Sequence, residues 1–189
     1  RKNTLHLLMA EHKTNCFKCI KNGACELQAM AREYGIDVPN FKSSHGDVQH
    51  EPFDAHPFLS YDPGLCIQCQ RCISTCANAT GRHALSLERN GARVYVKVPF
   101  GKGWENSLCE SCGNCAQACP TGALTIKRRK NYREWEVKKV RTTCPHCATG
   151  CQMDLYIKDG KIVDVQGADG PSNHNLLCVK GRSASFDFI

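Results

Sequence analysis

The apolar residues of the chain occur in short periodic runs, and the first two runs have helical spacing. Their members are Leu5, Leu8 and Met9 in the first run, and Leu27, Met30, Ala31 and Tyr34 in the second. Residues three and four positions apart share one face of a helix, so each run predicts a short amphipathic helix. Gly35 follows the second run and is typical of a helix C-terminus. Residues 1–35 are therefore predicted to contain two helices joined by a loop.

Alternating apolar and polar residues, which are typical of β-strands, appear in the rest of the chain. The candidate strands are Ala84–Leu87, Val94–Val98, Ala123–Ile126, Met153–Ile157 and Ile162–Val165. The turn-forming pairs Asn90-Gly91 and Asp159-Gly160 each separate two of these runs and predict hairpins. Residues 36–65 contain four prolines and predict an irregular connector. The predicted fold class is α+β.

Cysteine changes this picture, because 15 of the 189 residues are cysteines. Without them, roughly a third of the chain is apolar, which is less than in a typical globular domain. The length allows one domain or two small ones, and burial of apolar side chains alone is not expected to stabilise them. Groups held by the cysteines are expected to contribute. No apolar run approaches the roughly 18 residues of a membrane span, so no such span is predicted.

Disulfide bonds explain these cysteines poorly. Their number is odd and many of them are only two residues apart, whereas small secreted scaffolds space their half-cystines less regularly. Reduced cysteines that bind metal or iron–sulfur clusters are therefore expected, and they favour a reducing compartment, the cytoplasm. The chain begins with Arg1 and ends with Phe188-Ile189, so we expect it to be part of a longer protein.

One cysteine motif occurs twice between residues 66 and 126. Each copy has the spacing C-x2-C-x2-C-x3-C, and proline follows the last cysteine only in the second copy, since Ala77 follows Cys76 in the first. The motif resembles that of bacterial two-cluster ferredoxins, in which the first three cysteines bind one [4Fe–4S] cluster and the fourth binds the other. The resemblance implies one cluster on Cys66, Cys69, Cys72 and Cys119, and a second on Cys109, Cys112, Cys115 and Cys76. Zinc is the alternative, but its sites usually have separated C-x2-C pairs.

Residues 1–35 contain three cysteines, Cys16, Cys19 and Cys25, one fewer than a four-iron cluster requires. His12 precedes them in the pattern H-x3-C-x2-C-x5-C, which resembles the histidine-ligated cluster in the large iron–sulfur subunit of respiratory complex I and in related hydrogenases. The resemblance implies that His12 is the fourth ligand, and a neutral imidazole gives a higher potential than a fourth thiolate. The alternatives are that His12 is a surface residue or that His6, which no family spacing supports, is the ligand.

The last cysteine block resembles the segment with which molybdenum or tungsten bis-pterin oxidoreductases begin, formate dehydrogenases most closely. The matching residues are Cys144-Pro145-His146-Cys147, Thr149-Gly150-Cys151 and Cys178-Val179-Lys180-Gly181-Arg182. The resemblance implies a [4Fe–4S] cluster on Cys144, Cys147, Cys151 and Cys178. It also implies that Lys180 lies between this cluster and the pterin and relays electrons. A structural zinc ion and an ordinary surface lysine are the alternatives.

The number of ligands and the net charge are consistent with four clusters. Four [4Fe–4S] clusters require about sixteen ligands, and the fifteen cysteines with His12 supply them. The formal net charge is +7, and the basic run Lys127-Arg128-Arg129-Lys130 raises the alternative of a nucleic-acid interface. Oxidised clusters with these ligands carry about seven negative charges, so the basic residues are explained without a nucleic-acid partner.

The order of the blocks resembles the front part of the catalytic subunit of soluble formate dehydrogenases linked to NAD or ferredoxin. It divides the chain into a His/Cys₃ cluster domain (1–35), a connector (36–65), a two-cluster ferredoxin-like domain (66–137) and the start of a molybdopterin oxidoreductase domain (138–189). The resemblance implies an enzyme that interconverts formate and CO₂, in which this chain passes electrons to a redox partner subunit of the NAD(P)-linked flavin or hydrogenase type. A molybdenum or tungsten bis-molybdopterin guanine dinucleotide is expected downstream, and a [2Fe–2S] domain upstream.

Four other protein classes share parts of this pattern. The large subunit of complex I shares the first block and sometimes the last, but has a single-cluster middle module, so the eight-cysteine repeat argues against it. Iron-only hydrogenases share the first two blocks and differ in the last. Nitrate reductases share the last block and usually lack the first two. A zinc-stabilised interaction module is a non-redox alternative that would contain neither iron nor sulfide.

Overall fold

A computed structural model describes residues 1–42, 56–90, 93–99, 103–129 and 132–187. The described residues contain short helices and small antiparallel sheets, which confirms the α+β prediction. The helices are α1 (Lys2–Ala10), α2 (Glu26–Glu33), α3 (Arg71–Ser74), α4 (Asn114–Ala118) and α5 (Val179–Ser183). The strands are β1 (Leu59–Tyr61), β2 (Ser86–Asn90), β3 (Arg93–Lys97), β4 (Leu124–Ile126), β5 (Lys138–Thr143), β6 (Gln152–Lys158) and β7 (Lys161–Gly167).

The two N-terminal helices pack through the apolar faces that their spacing predicts. Their buried residues form one small core, which consists of Leu5, Met9, Leu27, Ala31 and Ile36. Met30 is the exception, because 45% of it is exposed although it belongs to the predicted periodic run. Helix α2 ends where predicted: Gly35 adopts a left-handed conformation (φ 63°), and the Ile36 N–H returns to the Ala31 carbonyl oxygen.

The middle of the chain forms two small two-stranded sheets around a core rich in cysteine. Strand β2 pairs with β3 as the predicted hairpin, with Asn90 opposite Arg93, while Gly91 of the predicted turn lies outside the described residues. Strand β1 pairs with β4 and lies within residues 36–65, so the prediction of an irregular connector was wrong there. Leu59 and Tyr61 are buried in this pairing, which explains why a strand of only three residues is ordered.

The last part of the chain is a three-stranded antiparallel sheet with the order β5-β6-β7. The predicted hairpin between β6 and β7 is confirmed, with Asp159 (φ 52°) and Gly160 (φ 73°) both left-handed, as a type I′ turn requires. Strand β5 was not predicted, because its sequence alternates weakly and most of its side chains face solvent. No helix among the described residues is both long and apolar enough to cross a bilayer.

Two side chains fasten this sheet to the second copy of the cysteine repeat. The Gln117 amide donates to the Gly167 carbonyl oxygen and accepts from the Gly167 N–H, both at 2.9 Å, so it pairs with β7 as a neighbouring strand would. Arg182 is only 1% exposed. Its guanidinium donates to the Cys112 and Val165 carbonyl oxygens and to the side-chain oxygens of Asn114 and Gln117. The sheet and the repeat therefore share a buried polar interface.

The basic run at 127–130 is divided between surface and interior. Lys127 and Arg128 are exposed. The side chain of Arg129 is 8% exposed and pairs with Asp164 at 3.2 Å, and its guanidinium also donates to the Tyr132 hydroxyl. Arg129 thus belongs to the interior of the fold, which removes one of the charges that a nucleic-acid interface would use.

Candidate metal centres

The two copies of the cysteine repeat fold into the same loop. In each copy the second and fourth residues after the first cysteine are left-handed: Gln68 (φ 55°) and Gln70 (φ 61°), then Ser111 (φ 56°) and Gly113 (φ 75°). This bend turns a backbone N–H toward the first sulfur, so that Gln68 donates to Cys66 Sγ at 3.4 Å and Ser111 to Cys109 Sγ at 3.5 Å. A short helix, α3 or α4, then carries the third cysteine. The equal spacing in sequence is therefore matched by equal local structure.

The structure brings the thiols of the repeat together in two crossed groups. Burial, with the neighbouring thiols of Cys119 and Cys66, raises the pKa of Cys72 to about 12. Burial also raises the pKa of Cys109, and the Cys112 and Cys76 thiols add to this effect. The fourth cysteine of each copy therefore faces the other copy, which is the arrangement that the ferredoxin resemblance implies.

The two crossing cysteines reach their groups from different backbones. Cys76 lies inside a π-helical turn, Thr75–Ala79, that continues α3. Cys119 ends α4 in an extended conformation (φ −68°, ψ 120°) and precedes Pro120, as expected because proline disfavours helical geometry in the residue before it. The alanine at position 77 thus changes the local backbone, while the thiol of Cys76 still reaches the second group.

The first block gathers its three cysteines in the loop between α1 and α2. Burial raises the pKa of Cys25, and the thiols of Cys19 and Cys16 contribute to the increase. His12 follows α1, and its Nδ1 is buried without a hydrogen-bond partner in the part of the chain that the structure describes. Burial lowers its pKa, which outweighs the opposite effect of Asp62. A neutral imidazole with a free lone pair has the chemistry of a metal ligand.

The competing histidine of this block is engaged elsewhere. His6 is 4% exposed, and its Nδ1 accepts the Asn40 backbone N–H at 3.2 Å. The Asn40 side-chain amide lies 3.4 Å from Nε2, which carries the proton of the neutral ring. The acceptor nitrogen of this core histidine is therefore already used, and His6 has no lone pair to offer. The geometry therefore favours His12 over His6.

The last block brings its four cysteines together beside α5. Burial raises the pKa of Cys151, with further contributions from the thiols of Cys144, Cys147 and Cys178. Cys147 is exposed, and hydrogen bonds from Thr149 lower its pKa, followed by the charge of Lys180. Lys180 is itself exposed, so the predicted relay lysine lies beside this group and toward solvent. A Cβ on Gly181 would lie 3.3 Å from Cys144 Sγ, which shows how closely the backbone approaches the sulfur.

Close contacts connect the four groups in chain order. A Cβ on Gly122 would lie 2.9 Å from Cys19 Sγ, so the segment after Cys119 touches the first block. The buried Cys115 interacts with Cys72 of the neighbouring group. Arg182 connects the group of Cys112 with the last group. Its guanidinium donates a hydrogen bond to the Cys112 carbonyl oxygen and interacts electrostatically with the Cys178 thiol.

The donor set can be compared with the chemistry of iron–sulfur clusters. Among the described residues, no group of three or more His, Cys, Asp or Glu side chains is arranged to hold one metal ion. Backbone N–H groups point at two of the sulfurs, and the buried Nδ1 of His12 has no hydrogen-bond partner in the described part of the chain. Thiols with such donors, and an imidazole nitrogen beside three thiols, fit the ligands of iron–sulfur clusters.

Two residues near the repeat were missed from the sequence. His56 Nε2 lies 3.4 Å from Cys109 Sγ, and Tyr61 opposes the increase that burial causes in the pKa of Cys66. Both belong to the segment that was predicted to be an irregular connector. No local spacing relates them to the cysteines, because their positions depend on the pairing of β1 with β4.

Comparison with known families supports an iron–sulfur assignment for each block. Residues 1–39 match the NADH-ubiquinone oxidoreductase-G iron–sulfur binding region, residues 57–125 match the ferredoxin-like domain of NADH-quinone oxidoreductase subunit 3, and residues 137–186 match the molybdopterin oxidoreductase Fe4S4 domain. Each block thus matches an iron–sulfur region of the NADH-quinone oxidoreductase or molybdopterin oxidoreductase type.

Relatives with different names share this region. The NADH-quinone oxidoreductase G 2 subunit of Rhizobium meliloti is 35% identical over 100% of the chain and 22% of its own length. NADPH-Fe(3+) oxidoreductase subunit alpha of Geobacter sulfurreducens is 32% identical over 96% of this chain and 21% of its own length. A putative formate dehydrogenase of Staphylococcus haemolyticus is 26% identical over 96% of this chain and 22% of its own length. The chain therefore spans about a fifth of the length of these relatives.

A solved structure agrees with these matches. The NAD+-reducing [NiFe]-hydrogenase in its H2-reduced state has a TM-score of 0.59 and 30% identity over 67% of this chain and 53% of that one. The comparisons support the complex I type as well as the formate dehydrogenase type. The eight-cysteine repeat, which argued against complex I in the sequence, does not prevent a match to its ferredoxin-like domain.

Proposed function

We propose that the chain holds four [4Fe–4S] clusters, which relay single electrons from one end of the fold to the other. The observation that carries this proposal is the arrangement of thiols in four neighbouring groups that follow one another in space. The proposed ligands are His12, Cys16, Cys19 and Cys25; Cys66, Cys69, Cys72 and Cys119; Cys76, Cys109, Cys112 and Cys115; and Cys144, Cys147, Cys151 and Cys178. When bound, such clusters supply one-electron chemistry.

The chain contributes geometry, hydrogen bonds and exclusion of water to this function. The left-handed loops of the repeat orient N–H groups toward sulfur, and such donors stabilise negative charge on a cluster. Cys115 and Cys144 are buried, which keeps solvent away from their groups. Cys147 and Cys178 are exposed, so the last group presents a face through which electrons can enter or leave.

Metal analysis tests the proposal directly. The full-length protein, purified without oxygen, is expected to contain about sixteen iron atoms and as many sulfide ions in this region, in addition to any in its other domains. The matched control is a full-length protein in which residues 1–189 are deleted, and the difference between the two gives the content of the region. A difference of about four zinc atoms without sulfide would establish the interaction-module alternative.

The histidine ligand is tested by two substitutions at position 12. His12→Cys is expected to retain the first cluster and to lower its potential, because an anionic ligand replaces a neutral one. His12→Ala is expected to make the cluster labile and to convert it to a three-iron form. If electron paramagnetic resonance shows the same signal and potential in both variants as in the wild type, His12 is not the ligand.

For the whole protein, we propose formate oxidation at a molybdenum or tungsten bis-pterin centre outside this chain, with electrons passed on to an NAD(P)-linked or hydrogenase-type partner subunit. The match of residues 137–186 to a molybdopterin oxidoreductase domain and the formate dehydrogenase names of several relatives support this proposal. The position of Lys180 beside Cys147 also supports it, since a lysine there can lie between the last cluster and a domain that covers the exposed face.

A second candidate is a subunit of the NADH-quinone oxidoreductase type, and it is favoured by the 35% identity to the G 2 subunit of Rhizobium meliloti. Formate-dependent dye reduction by the full-length protein, together with molybdenum and tungsten analysis, separates the two. Under the formate hypothesis, Lys180→Ala lowers formate turnover strongly and leaves the iron content unchanged, and Lys180→Arg recovers little because a planar guanidinium does not replace an ammonium. A protein without pterin metal that oxidises NADH would establish the second candidate.

A further inference from the structure

The segment that leads into β1 carries a histidine whose ring lies against a cysteine sulfur. His56 reaches Cys109, the first cysteine of the second repeat copy. We propose that His56 is a positioning residue that raises the reduction potential of the cluster held by this copy. The inference rests on the proposed cluster ligands and goes beyond them, because His56 is not itself a ligand.

The hydrogen bonds of His56 determine which of its nitrogens carries the proton. The backbone N–H groups of Phe58 and Leu59 both donate to Nδ1, at 2.9 and 2.8 Å. Nδ1 is therefore the acceptor nitrogen, and in a neutral imidazole the proton lies on Nε2. Since Nε2 is 3.4 Å from Cys109 Sγ, the ring donates its proton to the sulfur.

The orientation of the His56 ring is fixed by packing. The ring is 3% exposed and packs edge-on against the indole of Trp104, with 4.6 Å between the ring centroids and an interplanar angle of 88°. Trp104 lies in the short 3-10 helix that precedes Cys109. The donor and the loop that holds its acceptor are thus packed against each other, and the hydrogen bond is held in place from both sides.

The strand that follows His56 holds the histidine at this position. Strand β1 pairs with β4, and the Tyr61 hydroxyl at the end of β1 accepts the Val96 N–H of β3 at 3.2 Å. The segment that carries His56 is therefore fixed to both small sheets beside the repeat.

A hydrogen bond to a ligand sulfur stabilises the reduced cluster more than the oxidised one, because reduction adds negative charge to the cluster and its sulfurs. Loss of the donor therefore lowers the potential. A tenfold change in the one-electron equilibrium corresponds to about 59 mV. We expect a change of this size when the His56 donor is lost, and we expect it to be confined to one cluster.

The experiment is a redox titration of the full-length protein followed by electron paramagnetic resonance. In His56→Asn, Oδ1 can replace Nδ1 as the acceptor for the Phe58 and Leu59 N–H groups, while the shorter side chain cannot reach Cys109. Tyr61→Phe removes only a hydroxyl from the strand that follows and is the matched control. The expected result is a roughly tenfold shift, about 59 mV downward, of one cluster signal in His56→Asn and no shift of that signal in Tyr61→Phe, with unchanged iron content in both.

His56→Gln keeps a donor near the position of Nε2 and loses the Nδ1 acceptor. It is expected to have nearly the wild-type potential and lower stability. Unchanged potentials in His56→Asn, with full iron content, would overturn the inference and leave the proposed ligands intact. An equal shift of the same signal in Tyr61→Phe would also overturn it.

If a variant loses its cluster, the role of His56 is tested in the wild-type protein with ¹⁵N-labelled histidine. Pulsed electron paramagnetic resonance must then detect a weak imidazole coupling on the reduced cluster of the second copy. The absence of that coupling would overturn the role of His56. Wild-type protein without any such cluster would instead overturn the proposed function.

Discussion

The two copies of the cysteine repeat have the same spacing and the same loop, yet they contact different parts of the molecule. The fifth residue after the first cysteine shows this best. In the first copy it is Arg71, which is exposed and pairs with Glu26 of α2 at 2.7 Å. In the second copy it is Asn114, which is buried and accepts hydrogen bonds from Arg182 and from the Leu177 N–H. The first copy is therefore joined to the helical block through its surface, and the second to the sheet through its interior.

This difference separates two tasks within one motif. The cysteines and the left-handed loop positions, which recur in both copies, are the parts that would hold each proposed cluster. The positions between them, which differ, determine which neighbouring element each copy contacts. A repeat can thus keep its ligand geometry while its two copies connect the first block to the last.

Replacing the fourth cysteine of each copy by serine tests the feature that the two copies share, the proposed crossover, and should have the largest effect. Cys119→Ser is expected to remove about four iron atoms and to abolish the same resonance signal as Cys69→Ser. Cys76→Ser should instead abolish the signal that Cys112→Ser abolishes. If each substitution damages only the cluster of its own copy, the crossover is refuted.

The asymmetric part is tested at the two interfaces. Arg182→Met removes the donor to the Cys112 and Val165 carbonyl oxygens, while Asn114 and Gln117 each keep one backbone donor. Each buried acceptor that is left unsatisfied costs about 1–3 kcal/mol. We expect a loss of about 3 kcal/mol or more in the free energy of unfolding, measured by anaerobic urea denaturation. Arg71→Met is the control, since an exposed ion pair contributes about 1 kcal/mol or less. Equal losses in the two variants would contradict the comparison.

The different backbones at Cys76 and Cys119 are tested by exchanging the residue that follows each of them. Ala77→Pro should destabilise the protein by about 3 kcal/mol, because proline disrupts the π-helical turn and disfavours the helical conformation of Cys76. Pro120→Ala should cost about 1 kcal/mol or less, since Cys119 is already extended. Thermal unfolding monitored by circular dichroism distinguishes them, and a stable Ala77→Pro protein would show that the two backbones are interchangeable.

The smallest effect is expected at the left-handed positions that precede α3 and α4. Gly113→Ala places a Cβ at φ 75° and 2.7 Å from Arg182 Cδ, so we expect a cost of about 2 kcal/mol from the backbone strain and a shift of the arginine. Gln70 already carries a Cβ in the left-handed conformation, so Gln70→Ala should leave the free energy of unfolding nearly unchanged. A melting temperature that falls equally in both variants would count against this explanation.

The sequence predicts the parts of the molecule that depend on local spacing. The cysteine groups, the helices α1 and α2 and the β6–β7 hairpin all follow from residues that are close together in the chain. The crossing of Cys76 and Cys119 was available only through the resemblance to ferredoxins. Met30 shows the limit of periodicity, because a helix of eight residues with one small core has no second surface to cover that position.

The features that were missed depend on contacts between distant residues. Strand β1 is three residues long and lies among prolines, and only its pairing with β4 makes it a strand. His56 reaches the sulfur of Cys109 because of that pairing. Arg129 and Arg182 look like surface cations in the sequence, and their burial depends on acceptors from elements that are far away in the chain. No periodicity encodes such partners.

The amide of Gln117 has a consequence for the order in which the protein is built. It fills the position next to β7 at Gly167, where an unpaired strand edge would otherwise expose its N–H and carbonyl groups to other chains. A ribosome releases the repeat before it releases β7, and domains generally fold as units during synthesis. Gln117 is therefore synthesised before β7, whose edge it covers. This order of translation shortens the time during which the edge of β7 is open to aggregation.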